Sequence, residues 1–187
     1  MGNFERCRWS IENKHLWETL NSYGCTPNKS LTLQFPPSSI FYKKCLIKHF
    51  IRGYFDGDGC ISYANKNHTT MLLHLLGTEN FLSGVKNHLP IEFDYYLGFN
   101  KKSNNITRTL QIIGKNGLKI LYYLYEGSSI YLDRKHDKYL EYCRLYKELY
   151  KLLSSNIGKI PDMDNTEIIS ENNTSETSYS IENEPID

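Results

Sequence analysis

Asp56 and Asp58 stand two residues apart in the run Ile51-Arg52-Gly53-Tyr54-Phe55-Asp56-Gly57-Asp58-Gly59, the segment of this chain best suited to chemistry. An Asp-x-Asp pair offers hard oxygen donors to a divalent cation, and carboxylates here could also act as a nucleophile or close a turn. The residues in front of the pair read as a helix. Between Pro36 and Gly59, apolar Ile40, Phe41, Cys45, Leu46, Phe50, Ile51, Tyr54 and Phe55 line one side, and Lys43, Lys44, Lys48 and Arg52 sit mostly on the other. The acids then fall at the helix's C-terminal end, where its dipole disfavours anions, so a cation is expected opposite them. Gly53 and Gly57 are four apart and share one helix face. Each glycine costs a helix about 1 kcal/mol against alanine, which calls for a compensating close contact. Two such helices packed through their glycines would bring two carboxylates together, a site for Mg²⁺.

Three other uses of the acids compete. An EF-hand loop opens the same way, but Cys60, Ile61 and Asn67 occupy its fifth, sixth and twelfth positions, which excludes it. A phosphatase of the haloacid dehalogenase type would use Asp56 as nucleophile, but needs a buried strand before the acids and a later Asp-Asp motif. The segment here is 3.6-periodic and lysine-bearing, and the body contains no such motif. A plain turn-capping role stays open.

The elements that must hold the pair follow from the flanking pattern. CISYAN and TTMLLHLLG read as strands joined by NKNH, and Thr78 is placed to cap a helix running to about Leu89. YYLGFN and ITRTLQIIG form a second strand pair around KKSNN, followed by a helix from about Asn116 to Tyr125. From Asp133 a long helix carries Tyr139, Tyr142, Tyr146, Leu149 and Leu153 on one stripe, a core-packing face. Hairpins alternating with helices predict an α+β fold, an antiparallel sheet with helices on one face.

Charge is segregated along the chain. Of 187 residues, 22 are Lys or Arg and 21 are Asp or Glu, for a net +1. Ser154 to Asp187 holds eight acids against Lys159 alone, a net −7, and residues 1–153 carry a net +8. A basic body with an acidic tail suits a polyanionic partner. The polar tail, roughly 155–187, reads as disordered. No apolar run is long enough to span a membrane, and MGNFERCRWS does not read as a secretory signal. Five scattered cysteines without a Cys-x-x-Cys pair exclude a zinc ribbon or disulfide scaffold and point to a reducing compartment. A cytoplasmic, organellar or nucleoid-associated protein is expected, not a secreted one.

IRGYFDGDG matches the nine-residue signature of the LAGLIDADG homing endonucleases in pattern, and the chain resembles that family. NKSLTLQFP before the motif, and LLGTENF, IIGKNGLKIL and SSIYLDRK after it, resemble its phage and mobile-element branch. The resemblance covers roughly residues 4–145 and implies an αββαββα unit with a curved four-stranded antiparallel sheet. It implies Asp58 as the acid that binds the catalytic metal, Asp56 as a structural acid, and Gly53 and Gly57 as packing glycines. Lys115 takes the place of a basic residue near the scissile phosphate. Thr78 lies where some members hold a water-positioning residue, though the cap is its expected role. The polar side of ITRTLQIIG (Thr107, Thr109, Gln111) would read bases in the major groove, and Lys101 and Lys102 would touch phosphates.

Single-motif members of that family act as homodimers, and two-motif members fold as one pseudo-dimer. RWSIENKHLWETLNSYG resembles TLQIIGKNGLKILYYLYEG about 101–103 residues later, so residues 1–30 are expected to be the strand and helix that close a preceding repeat, with 31–154 as the endonuclease domain. The expected function is Mg²⁺-dependent cleavage of double-stranded DNA, by a homodimer or with a second repeat through the Gly53/Gly57 face. A non-catalytic DNA-binding regulator or degenerate half-enzyme is the alternative, with an RNA maturase a third reading. Deleting residues 155–187 is expected to strengthen non-specific DNA binding and steepen its salt dependence, as titrations at several salt concentrations would read out. Unchanged affinity would make the tail a solubilising appendage.

Overall fold

Met71, Leu73 and Leu75 alternate with Leu72, His74 and Leu76, and Leu110 and Ile112 alternate with Thr109 and Gln111. Side chains along a strand point to opposite faces in turn, so this pattern buries one face of a sheet and leaves the other open. The computed structural model describes residues 10–27, 29–89, 95–99 and 107–156 and builds that sheet. Its strands are β1 (Gly59–Tyr63), β2 (Met71–Thr78), β3 (Tyr96–Phe99) and β4 (Thr107–Ile113), in the order β1-β2-β4-β3 with every pairing antiparallel. The described residues form six helices: α1 (Lys14–Ser22), α2 (Cys45–Asp58), α3 (Glu79–Asn87), α4 (Lys115–Tyr125), α5 (Asp133–Leu145) and α6 (Lys147–Ser155). The protein is thus α+β, and from α2 to α4 the order is helix, two strands, helix, two strands, helix.

Helices α2, α3 and α4 pack on the inner face of the sheet, and α5 and α6 pack against α4. The core between them joins Ile47, Ile51 and Phe55 of α2 to Leu73, Leu75, Leu110 and Ile112 of the sheet and to Leu118, Leu121 and Leu124 of α4. Thr78 caps α3: its hydroxyl accepts from the Phe81 N–H at 3.2 Å and donates to the Leu33 carbonyl. Gly114 turns β4 into α4 at φ +66°, a left-handed conformation that favours glycine, with its N–H on Met71 O at 2.8 Å.

Several expectations are corrected. Helix α2 starts at Cys45, because Pro36 and Pro37 lead into a short 3₁₀ turn at Ser38–Ile40 and bends that delay it. The long C-terminal helix is two: Tyr146 leaves helical geometry at φ −110°, ψ 45°, where its hydroxyl accepts from the Met71 N–H. Its stripe does face the core, with Tyr139 and Tyr142 buried in it and Tyr146, Leu149 and Leu153 packed against it. Arg52, placed on the polar side by periodicity, is 6% exposed. In the segment expected to close a preceding repeat, α1 is present but buries no residue, and Ser10–Asn13 join no strand; residues 1–9 and the acidic tail from 157 onward lie outside the described residues.

The helical glycines are not equivalent. A Cβ on Gly117 would lie 2.5 Å from the buried Met71 Sδ and 3.3 Å from Leu73 Cγ, whereas one on Gly53 would meet nothing within 4 Å. Gly117→Ala should therefore destabilise the chain by about 1 kcal/mol, crowding outweighing the gain in helix propensity. Gly53→Ala should stabilise the isolated chain by up to about 1 kcal/mol. Urea denaturation at dilute protein measures both, and equal effects would contradict the packing described.

Candidate functional site

The C-terminal turn of α2 concentrates negative charge: free carbonyls, Asp56 and Asp58 all lie within it. The cation that this end requires comes from the same chain. Lys135, in the first turn of α5, is 3% exposed, and its ammonium donates to Phe55 O at 3.3 Å and to Gly59 O. It also lies 5.0 Å from the centre of the Phe55 ring. Burial pushes the Lys135 pKa down and Arg134 beside it acts the same way, while Cys60, Asp56 and Asp58 oppose that shift.

The two acids have separate fates. Asp56 turns inward: Oδ1 accepts from the Tyr125 hydroxyl at 2.5 Å and Oδ2 from the Leu132 N–H at 3.1 Å. It therefore fastens α2 to the end of α4 and to the loop entering α5. Burial and this carboxylate push the Tyr125 hydroxyl far above its ordinary pKa. One turn earlier, the Arg52 guanidinium donates to Ser128 Oγ at 2.6 Å and to Leu124 O at 3.3 Å, closing the end of α4 as Lys135 closes α2.

Asp58 turns outward. It is exposed, with no hydrogen bond or ion pair among the described residues. It lines a groove of about 210 Å³ with Lys29, Ser30, Leu33, Tyr54, Leu76, Gly77 and Thr107. The Tyr54 hydroxyl donates to Leu76 O at 2.8 Å, and burial together with the Asp58 charge pushes its pKa up to about 12. Gly53 and Gly57 are both exposed and a Cβ on either would meet open space, so no element among the described residues occupies their face. Beside it, the loop fastened by Asp56 holds out Ile130, which is 78% exposed.

Other expected site residues are distributed differently. Lys115 is not brought to Asp58. Gly59 stands level with Leu75 and through it with Leu110, and β4 runs three further residues, about 10 Å, before Lys115. There Lys115 lines a separate groove with Leu145, Tyr146, Lys147, Glu148, Leu149 and Leu152. Its place at the start of a helix suggested the role, but strand register carries it away. Thr109 and Gln111 lie half-exposed on the open face of the sheet, whereas Thr107 is 4% exposed where β4 pairs with Thr78 and lines the Asp58 groove. Lys101 and Lys102 lie outside the described residues. Sequence reasoning missed Lys135, Lys29 and His74: the dipole argument required a cation, but nothing local selects one of the body's 21 bases.

No family model matches this chain, and neither does any curated protein or solved structure. What the site does is therefore judged on its own chemistry. The division between the acids has a direct test. Asp56→Ala should cost about 1–3 kcal/mol, because it strands the Tyr125 hydroxyl and the Leu132 N–H. Asp58→Asn should stay within about 0.5 kcal/mol of the parent, as expected of an exposed group without partners. Thermal or urea denaturation decides, and equal costs would refute the division.

Proposed function

We infer that the chain is a metal-dependent DNA endonuclease of the LAGLIDADG type, in which two α2 helices meet through their glycine faces and each presents Asp58. The observation that carries this reading is the Asp58 carboxylate, unpartnered among the described residues, at the end of a helix whose small-residue stripe none of them covers, while its neighbour Asp56 is fully employed within the chain. An exposed, unpartnered carboxylate beside a groove suits Mg²⁺, which takes one or two protein carboxylates and completes its shell with water and phosphate oxygens. Among the described residues no three His, Cys, Asp or Glu side chains converge on one point, so the donor set calls for a second copy and the substrate's own phosphate.

In this reading Asp58 from each copy would hold the metal. The bound ion would supply Lewis acidity toward the scissile phosphate and lower the pKa of an attacking water. The chain's own residues contribute placement. Lys135 and Asp56 fix the end of α2, so that Asp58 is carried on a rigid element. Lys29 and Arg134 add positive charge around the groove and the helix end. The +8 body draws in the polyanion.

A non-catalytic DNA-binding role is the second reading, favoured by the fact that Asp58 is the one carboxylate among the described residues lining the groove. Incubating a supercoiled plasmid or randomised duplex pool with the full chain and Mg²⁺ separates the two. The endonuclease reading expects nicked or linear product, lost at least 100-fold in Asp58→Asn with DNA affinity retained, the size of effect seen when a charge-stabilising catalytic group is removed. Binding without any Mg²⁺-dependent product would leave the regulator.

A further inference from the structure

The open face of the sheet has a composition that narrows the substrate. Cys60 and Ser62 of β1, Leu72, His74 and Leu76 of β2, Thr109, Gln111 and Ile113 of β4, and Tyr96 and Gly98 of β3 share it by strand alternation. Among these described residues there is no Lys, Arg, Asp or Glu. Register aligns Cys60, His74, Gln111 and Tyr96 in one row straight across the four strands. The rows on either side are mostly apolar: Leu72 opposite Ile113, and Leu76 opposite Thr109, with Leu76 and Ile113 42% and 52% exposed. The Tyr96 ring lies over Gly98, where a Cβ would come within 2.9 Å of it.

Two of the polar groups in this neutral field stand side by side on its central strands. Gln111 is half-exposed, and a carboxamide offers one donor and one acceptor side by side. The His74 Nε2 atom beside it is screened from water and has no hydrogen-bond partner among the described residues. Cations lie at the ends of the strands instead: Lys66 in the β1–β2 turn, Lys115 just beyond β4, and Lys29 beside the far end of β2, all exposed. A neutral centre between positive ends complements a duplex groove, with bases in the middle and phosphates at the rims.

Resting on the reading of the chain as a DNA-binding endonuclease, we propose that the β2–β4 ribbon reads an A·T-rich stretch of its target, with Gln111 bonding adenine and Leu72, Leu76 and Ile113 covering thymine methyls. In the major groove, adenine presents N7 and N6–H to a carboxamide and thymine presents its methyl to apolar side chains, while guanine is read chiefly by Arg or Lys, which the described residues of this face lack. The groove admits two strands, so the central pair enters it. Outward side chains on one strand repeat every ~6.8 Å. Three rows therefore span about 14 Å, or about five base pairs at ~3.4 Å each.

The test is selection of bound sites from a random duplex pool by the full chain, without divalent metal, followed by titration of the recovered duplex. The expected consensus contains about five consecutive A·T-rich pairs. Gln111→Ala should lose roughly tenfold discrimination at one adenine. Gln111→Arg should move the preference at that same pair to guanine, a gain that damage to the fold would not produce. Tight binding with a G·C-rich consensus, or with no base preference over that stretch, overturns this inference and leaves the endonuclease reading standing. Failure to bind duplex DNA, or preference for RNA, overturns both.

Discussion

The structure turns on the Lys135 ammonium seated against the last carbonyls of α2. Without it, the negative end of a helix dipole and two carboxylates would share one turn without the buried cation that bonds its carbonyls. Lys135 reaches that turn from α5, Asp56 reaches back from α2 to the loop before α5, and Arg52 reaches from α2 to the end of α4. Three helices are thereby cross-tied at one corner, by two charged groups from α2 and one from α5. Lys135 is buried and Asp56 half-buried against peptide dipoles, so removing one partner leaves the others stranded, which is where buried charge is most costly. That rigidity is what lets Asp58, two residues past Asp56, stand exposed in a fixed place.

Asp58 is locally unfavourable, since it adds an anion at a helix C-terminus and makes no bond in return among the described residues. The same is true of two helical glycines on which nothing among the described residues is packed. Two neighbouring features that weaken the single chain become useful together if a second helix and a cation complete them. Local rules are broken most often at functional sites, and here two such breaks lie in one helix.

Much of this architecture was legible in the sequence, because it rests on local signals. Periodicity gave α2, α4 and α5, alternation gave β2 and β4, and the Thr78 cap gave the start of α3. What escaped depends on contacts distant in sequence. Lys135 lies 80 residues from its Phe55 partner, and Arg52 lies 72 from Leu124. Polarity put Arg52 at the surface, although its planar donors find acceptors inside. Lys115 was misplaced for the converse reason: its local setting fitted, but register set it well along the sheet from Asp58. Thr107 alternates correctly with its strand yet is buried, because the end of the sheet is covered there.

The central claim is that the bare Gly53/Gly57 face awaits a second copy of the same helix. Sedimentation of the full chain at micromolar concentration, alone and with its selected duplex, tests it most directly when repeated with Gly53→Leu. The account predicts a two-to-one protein–DNA assembly that Gly53→Leu reduces to one-to-one, with the variant chain still folded. A parent chain that stays strictly monomeric both free and on DNA would contradict it.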